Sequence, residues 1–285
     1  MHHKILSYWR LMRFDRPIGI LLLLWPTLWS LCIAAHGIPD LKILIIFILG
    51  VVIMRAAGCV INDYADRKFD PYVKRTKMRP LATGEISTNE ALVLFGVLTM
   101  LALILLLFLN KFAILIALVG GGLTVIYPFT KRWFALPQMV LGFTFAWSVP
   151  MVFAAQTNGL PAITGLIYLA AFFWIFAFDT QYAMVDCDDD VHIGIHSSAL
   201  FFGKKVREWI ALSQFLMLVM LILMGVMLKF AYPYYVLLLI ASGLIIYQNC
   251  LIYSQQREKC LRAFSKNNGL GAIIFAAIVA GVFLK

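Results

Sequence analysis

The sequence predicts an all-α protein that crosses a lipid bilayer many times, and three observations carry that expectation. Mean hydropathy is +0.90, and only 13% of the residues are charged against 62% hydrophobic, far from the composition of water-soluble domains. The apolar residues come in runs long enough for a helix rising 1.5 Å per residue to cross about 30 Å of hydrocarbon. Nineteen of the 24 Lys and Arg residues fall in alternate connections between those runs, the asymmetry that orients membrane helices.

The runs give nine expected spans, at 17–36, 41–61, 91–109, 112–128, 135–156, 160–178, 208–228, 233–253 and 270–284. The first carries Pro17, Trp25, Pro26 and Trp29 where a cleavable leader would have a short plain apolar core, so it is expected to remain a helix. The second descends into "NDYADRKFD" at 62–70 and a basic stretch, "PYVKRTKMRPL". The fourth ends on "YPFTKRW", and the sixth ends on "DTQYAMVDCDDD". The last three flank the basic groups 204–207 and 257–266. With the N-terminus inside, the outer side keeps Lys42, Lys111, Lys229 and Lys285, while Arg55 lies within the second span. This predicts the N-terminus in and the C-terminus out. No long polar linker divides the spans, so residues 1–285 are expected to form a single transmembrane domain. The net charge of +10 then reflects topology and attraction to the lipid bilayer, with no nucleic acid needed as a partner. The cysteines at 32, 59, 187, 250 and 260 form no CxxC pair and read as free thiols.

The few carboxylates are not scattered. Thirteen of the fourteen acids fall on the inner side, Asp40 being the exception, and most gather at the feet of spans two and six. Residues four apart share a helix face, so Asn62, Asp66 and Asp70 make one stripe if the second helix continues, and Asp186 and Asp190 make another, with Asp179 close to it. The repeated pattern of a descending helix, acids at its end and a basic loop suggests a weak internal duplication that brings both acidic ends to a central cavity. One ionised side chain at membrane depth costs about 2.5–3.5 kcal/mol, and stacked carboxylates repel. A divalent cation offsets both. Oxygen donors with no Cys or His ligand beside them favour Mg²⁺ or Ca²⁺ over zinc. An EF-hand is excluded, because Val191 and Ser197 stand where its Gly and Glu would be.

The surrounding bases point to a phosphate ligand. Lys74, Arg75, Lys77 and Arg79 follow the first acidic stretch, and Tyr127, Lys131 and Arg132 close the fourth span. Metal ions bridging carboxylates to phosphate oxygens, with guanidinium groups on the rest, suit a diphosphate. Arg55 is a functional candidate because a charge within a span is costly. His192 and His196 lack an HExxH setting and read as loop residues. A secondary transporter would carry acids within its spans at broken helices, whereas these cluster at one end. A CDP-alcohol phosphotransferase would show a DGxxAR segment, which is absent.

"NDYADRKFD", "KRTKMRPL", "YPFTKRW" and "DTQYAMVDCDDDVHIGIHS" resemble the signature loops of the UbiA superfamily of intramembrane prenyltransferases. "LMRFDRPIG", "LLLLWPTLWSL" and "MRAAGCVINDYADRKFD" resemble the bacterial branch that prenylates 4-hydroxybenzoate for ubiquinone. The resemblance runs from about residue 8 to past 265. It implies nine helices around a cavity capped by cytoplasmic loops, in a bacterial inner membrane, with polyprenyl diphosphate and 4-hydroxybenzoate as substrates. It implies Mg²⁺ and diphosphate at Asn62, Asp66, Asp70, Asp186 and Asp190, the four aspartates being catalytic. Asp63 matches its NDxxDxxxD motif, and Tyr127 with Lys131 matches its YxxxK motif. Cys187 and the two histidines stand where many relatives are expected to carry bases. Arg13, Arg55, Lys74, Arg75 and Arg79 complete the expected substrate-binding set, and Arg132, Arg55 and Arg13, in that order, are candidates for the benzoate carboxylate. Another aromatic acceptor is the nearest alternative.

Overall fold

A computed structural model of the chain describes residues 2–130 and 132–284, and among them every regular element is helical. Helix α1 (His2–Leu11) is short, and α2 (Ile18–Ala34) follows Pro17. Asp40 caps α3 (Leu41–Asp66) by accepting from the Ile43 N–H at 3.0 Å. Ser87 and Glu90 form a reciprocal capping box at the start of α4 (Thr88–Leu106). Then come α5 (Lys111–Thr130), α6 (Pro137–Ala146), α7 (Ser148–Thr157), α8 (Ala162–Ile193) and the single turn α9 (Ser198–Phe202). The chain closes with α10 (Val206–Met227), α11 (Tyr232–Ile252) and α12 (Arg257–Phe283).

Among the described residues, eight segments are long and apolar enough to cross a membrane: α3, α4, α5, the pair α6–α7, α8, the pair α9–α10, α11 and α12. Helix α2 is apolar but only 17 residues long, about 25 Å at 1.5 Å per residue. The expected spans are therefore all helical, with three departures. The sixth run does not stop at 178; α8 continues to Ile193 and ends on Gly194, whose φ of 68° is the left-handed conformation that closes helices. The ninth starts at Arg257, so the bases expected in a loop lie on the first turns of α12. The fifth is broken at Trp147, because the Pro150 ring clashes with the carbonyl four residues back, at Ala146.

Helix α8 lies at the centre. Trp29 of α2 packs on Trp174 of α8 with ring centroids 5.0 Å apart. Trp29 Nε1 donates to the Gly271 carbonyl at 3.2 Å, and Trp174 Nε1 donates to Asn267 Oδ1 at 3.0 Å. Gly271 lets Trp25 and Trp174 approach the α12 backbone, the small-residue contact by which lipid-embedded helices pack closely. Beside this core, α2, α3, α4, α5, α6–α7 and α8 surround a cavity of about 710 Å³. Helix α1 straps its cap: Ser7 Oγ donates to Glu85 at 2.6 Å, Arg10 Nη2 to the Met78 carbonyl at 2.9 Å, and Lys4 meets Glu90 at 2.5 Å.

Candidate active site

Both acidic stretches open onto that one cavity. On the last turn of α3, Asn62 Nδ2 donates to Asp66 Oδ2 at 3.2 Å. The stripe expected to run on to Asp70 is interrupted. Proline at 71 disfavours helix at the residue before it, and the chain instead makes a single 3₁₀ turn at Asp70–Tyr72. Asp70 is held at the cavity wall from the cap: Arg79 Nη1 donates to its two oxygens at 3.0 and 2.9 Å, and Thr76 Oγ1 donates to its carbonyl at 3.0 Å. Asp63, 1% exposed, is bonded by Arg13 Nη2 at 2.8 and 2.7 Å and approached by Arg79 Nη1 at 3.1 Å.

Across the cavity, α8 presents Asp186 and, one turn later, Asp190. Arg75 Nε donates to both Asp186 oxygens at 3.0 and 2.9 Å, with its Nη2 also on Oδ2. Arg257 Nη2 bonds Asp186 at 3.3 Å and Asp189 at 3.1 Å. Arg75 and Arg79, four residues apart in one cap, therefore join the two acidic stretches. The two acidic ends open onto one cavity, as their pattern implied.

The electrostatics follow from burial. Loss of water pushes the Asp70 carboxyl up from its ordinary value; Arg79 opposes this, and Asp63 and Asp66 add to it. Burial also weighs against the Arg79 cation, but Asp63, Asp70 and Asp66 outweigh it and hold the group firmly charged. Among the described residues, no three acids, histidines or cysteines stand close enough to cage an ion alone. Paired carboxylates from two sides, with guanidinium groups between them, instead suit a hard cation shared with a phosphate ligand. Such cations are commonly held by one or two carboxylates, waters and substrate phosphates.

The remaining candidates divide. Tyr127 lines the cavity, whereas Lys74 is exposed and does not. Lys131 lies outside the described residues. Arg132 is exposed, donates to the Ala65 carbonyl at 2.7 Å and does not line the cavity. Arg13 is locked on Asp63. Arg55 lines the cavity, as Arg13 does, and its buried Nε has no hydrogen-bond partner. Of the three candidates for the carboxylate, Arg55 and Arg13 thus reach the cavity and Arg132 does not. Arg257 was counted only among the topology-setting bases; it stands 71 residues from Asp186 in sequence, and nothing local marks it. Asp179 and His196 also line the cavity.

The chain is similar to known proteins over nearly its whole length. The sequence profile of the UbiA prenyltransferase family matches residues 23–279. The chain is 50% identical over 282 residues to the 4-hydroxybenzoate octaprenyltransferase of Photobacterium profundum, covering 99% of this chain and 98% of that protein. It is 53% identical over 274 residues to the protein of the same name from Haemophilus ducreyi, covering 96% and 99%. The solved structure of a UbiA homologue from Archaeoglobus fulgidus, bound to GPP and Mg²⁺, superimposes with a TM-score of 0.75 at 22% identity, covering 97% of this chain and 99% of that one.

Proposed function

The chain belongs to the UbiA prenyltransferase family, and from that premise we propose that it transfers a polyprenyl group from polyprenyl diphosphate to the ring carbon ortho to the hydroxyl of 4-hydroxybenzoate, releasing diphosphate, in ubiquinone biosynthesis. Identity of about half over nearly the whole length to proteins named for this activity supports the assignment. The observation that carries the mechanism is the meeting of two acidic helix ends over one cavity, cross-linked by Arg75 and Arg79.

Asn62, Asp66, Asp70, Asp186 and Asp190 would hold Mg²⁺, and their all-oxygen donor set fits it. Bound there with the diphosphate, Mg²⁺ supplies the charge neutralisation that makes the leaving group stable. Arg75 and Arg79 turn from the carboxylates to phosphate oxygens, adding charge-assisted hydrogen bonds to the same group. Tyr127 extends that contact from the cavity wall, and Lys131 is its partner in the family's YxxxK motif. The apolar walls shield the allylic carbon from water as its C–O bond breaks. The aromatic ring forms the new C–C bond to that carbon, and the ring proton passes to Asp186 or to the released diphosphate.

The acceptor has its carboxylate and its hydroxyl at opposite ends, and the reacting carbon lies beside the hydroxyl. Its carboxylate therefore points away from the diphosphate. Arg55 stands seven residues before Asn62 on α3, about 10 Å further from the acids at helical rise, with an unpartnered buried Nε. Arg55 is the carboxylate's partner. Nine spans, with the N-terminus inside and the acids at the cytoplasmic face of a bacterial inner membrane, fit the basic asymmetry.

The test is direct. Protein in liposomes with Mg²⁺, labelled 4-hydroxybenzoate and polyprenyl diphosphates of several lengths yields a prenylated acid and one diphosphate per turnover. EDTA stops turnover and added Mg²⁺ restores it. Absence of labelled product with every donor overturns the assignment.

A further inference from the structure

We infer that Gly19 and Phe145 are positioning residues for the acceptor: between them they seat the Arg55 guanidinium at the cavity wall. This rests on the reading of Arg55 as the carboxylate's partner. Gly19 lies in the first turn of α2, against α3. A Cβ built there would stand 2.6 Å from both Nε and Nη2 of Arg55 and 3.0 Å from Cζ. The guanidinium thus occupies the space that any other residue would fill. Phe145 of α6 flanks the same group, its ring centroid 5.5 Å from Cζ, within range of a cation–π attraction. All three residues line the cavity. The Nε–Nη2 edge lies against the Gly19 backbone, where a Cβ would stand in the guanidinium plane, so this contact sets the orientation of Arg55 at the cavity wall.

Gly19 differs from the other close-packed glycines in what it touches. At Gly120, Gly142, Gly225, Gly271 and Gly281 an added Cβ meets an aromatic ring wedged between helices. At Gly19 it meets the tip of a long, jointed side chain. A methyl group there need not part α2 from α3; it displaces the guanidinium alone. Gly19→Ala therefore separates the role of this position in binding from any role in folding.

The experiment is a double-mutant cycle in liposomes with saturating Mg²⁺, comparing wild type, Gly19→Ala, Arg55→Ala and the double variant. Losing a hydrogen bond to a charged group lowers affinity about tenfold or more. Gly19→Ala is thus expected to raise KM for 4-hydroxybenzoate by about tenfold or more, leaving kcat and the polyprenyl diphosphate KM within about twofold. In the Arg55→Ala background it should add nothing, and its unfolding temperature should match that of Gly96→Ala, a control where nothing lies within 4 Å. Phe145→Leu carries the same readings should Gly19→Ala not insert. An unchanged benzoate KM in Gly19→Ala, an equal rise for both substrates, or an additive loss in the double variant overturns the positioning role. If Arg55→Ala itself leaves the benzoate KM unchanged, the carboxylate reading fails and this inference with it. If Arg55→Ala raises it and Gly19→Ala does not, only the positioning role fails.

Discussion

Asp63 and Asp66 stand three residues apart at the end of α3 and do different work. Asp63 is 1% exposed and carries two arginines, one from the segment after α1 and one from the cap. Removing one member of a buried ion pair leaves the other uncompensated, at about 3–5 kcal/mol. Asp63→Ala is therefore expected to lose stability of that order, measured as a lower unfolding temperature in detergent. Asp66 bonds Asn62 and faces the cavity, as Asp186 does from α8. Asp66→Ala and Asp186→Ala should insert normally yet show no detectable turnover, checked by product formation beside a quantified membrane fraction; wild-type rates in either would refute their place at the metal. Residue type and spacing made Asn62, Asp66, Asp186 and Asp190 legible in the sequence, because carboxylates in a greasy chain need a reason to be there. The separate duty of Asp63 was not legible, since it depends on Arg13 and Arg79, 50 and 16 residues away. Nor was the placing of Arg55 at the cavity and of Arg132 on the Ala65 carbonyl, which depends on how the chain folds between them.

The helices themselves were legible because hydropathy reports contact with lipid, and every expected run became helical, the fifth as two helices. It does not report where a helix stops once it leaves the lipid. Helix α8, 32 residues long, spans about 48 Å, well over the hydrocarbon thickness of about 30 Å. Its extra turns carry Asp186 and Asp190, and that overhang is what places the second acidic pair opposite the first. The break between α6 and α7 is the converse case. Pro150 makes it, but the sequence predicts one unbroken span there, and the consequence lies in what the kink admits. Trp147 turns toward α5, donates through Nε1 to the Ile116 carbonyl at 2.8 Å, and lies over Gly120, where a Cβ would sit 2.5 Å from its Cδ1. This ring is anchored, unlike Arg55, so a methyl group at 120 must push helices apart. Gly120→Ala is expected to cost about 1–3 kcal/mol by overpacking, read as a lower unfolding temperature. Gly121→Ala, with nothing within 4 Å, should stay within about 0.5 kcal/mol of wild type.

At the scale of the molecule, the acids must share one face of the membrane for a single diphosphate to meet both, and the count of crossings decides which face each terminus occupies. Helices α3 and α8 both run toward the acidic side, as an even number of crossings between their ends requires. Helix α2 is the element on which the count turns. Its 17 residues reach about 25 Å, a few ångströms short of the usual hydrocarbon thickness, a mismatch that local thinning of the bilayer absorbs at a fraction of a kcal/mol per ångström. Its packing also favours crossing: Trp29 lies buried on Trp174 and bonds the backbone of α12, which places α2 within the bundle. If α2 crosses, the chain makes nine passages and its ends lie on opposite sides. With the N-terminal bases in the cytoplasm, alkaline phosphatase fused after residue 285 should then be active, while the same enzyme fused after Lys205, on the acidic side, should be inactive. A green fluorescent protein fused at either point should give the opposite signals. Phosphatase silence at 285 together with fluorescence there, with Lys205 still inside, would mean that one of α10, α11 and α12 fails to cross; α2 has no part in that outcome, because it precedes the acids. Phosphatase activity at Lys205 would instead invert the whole arrangement, placing the acids away from the cytoplasm and removing the site from its proposed donor.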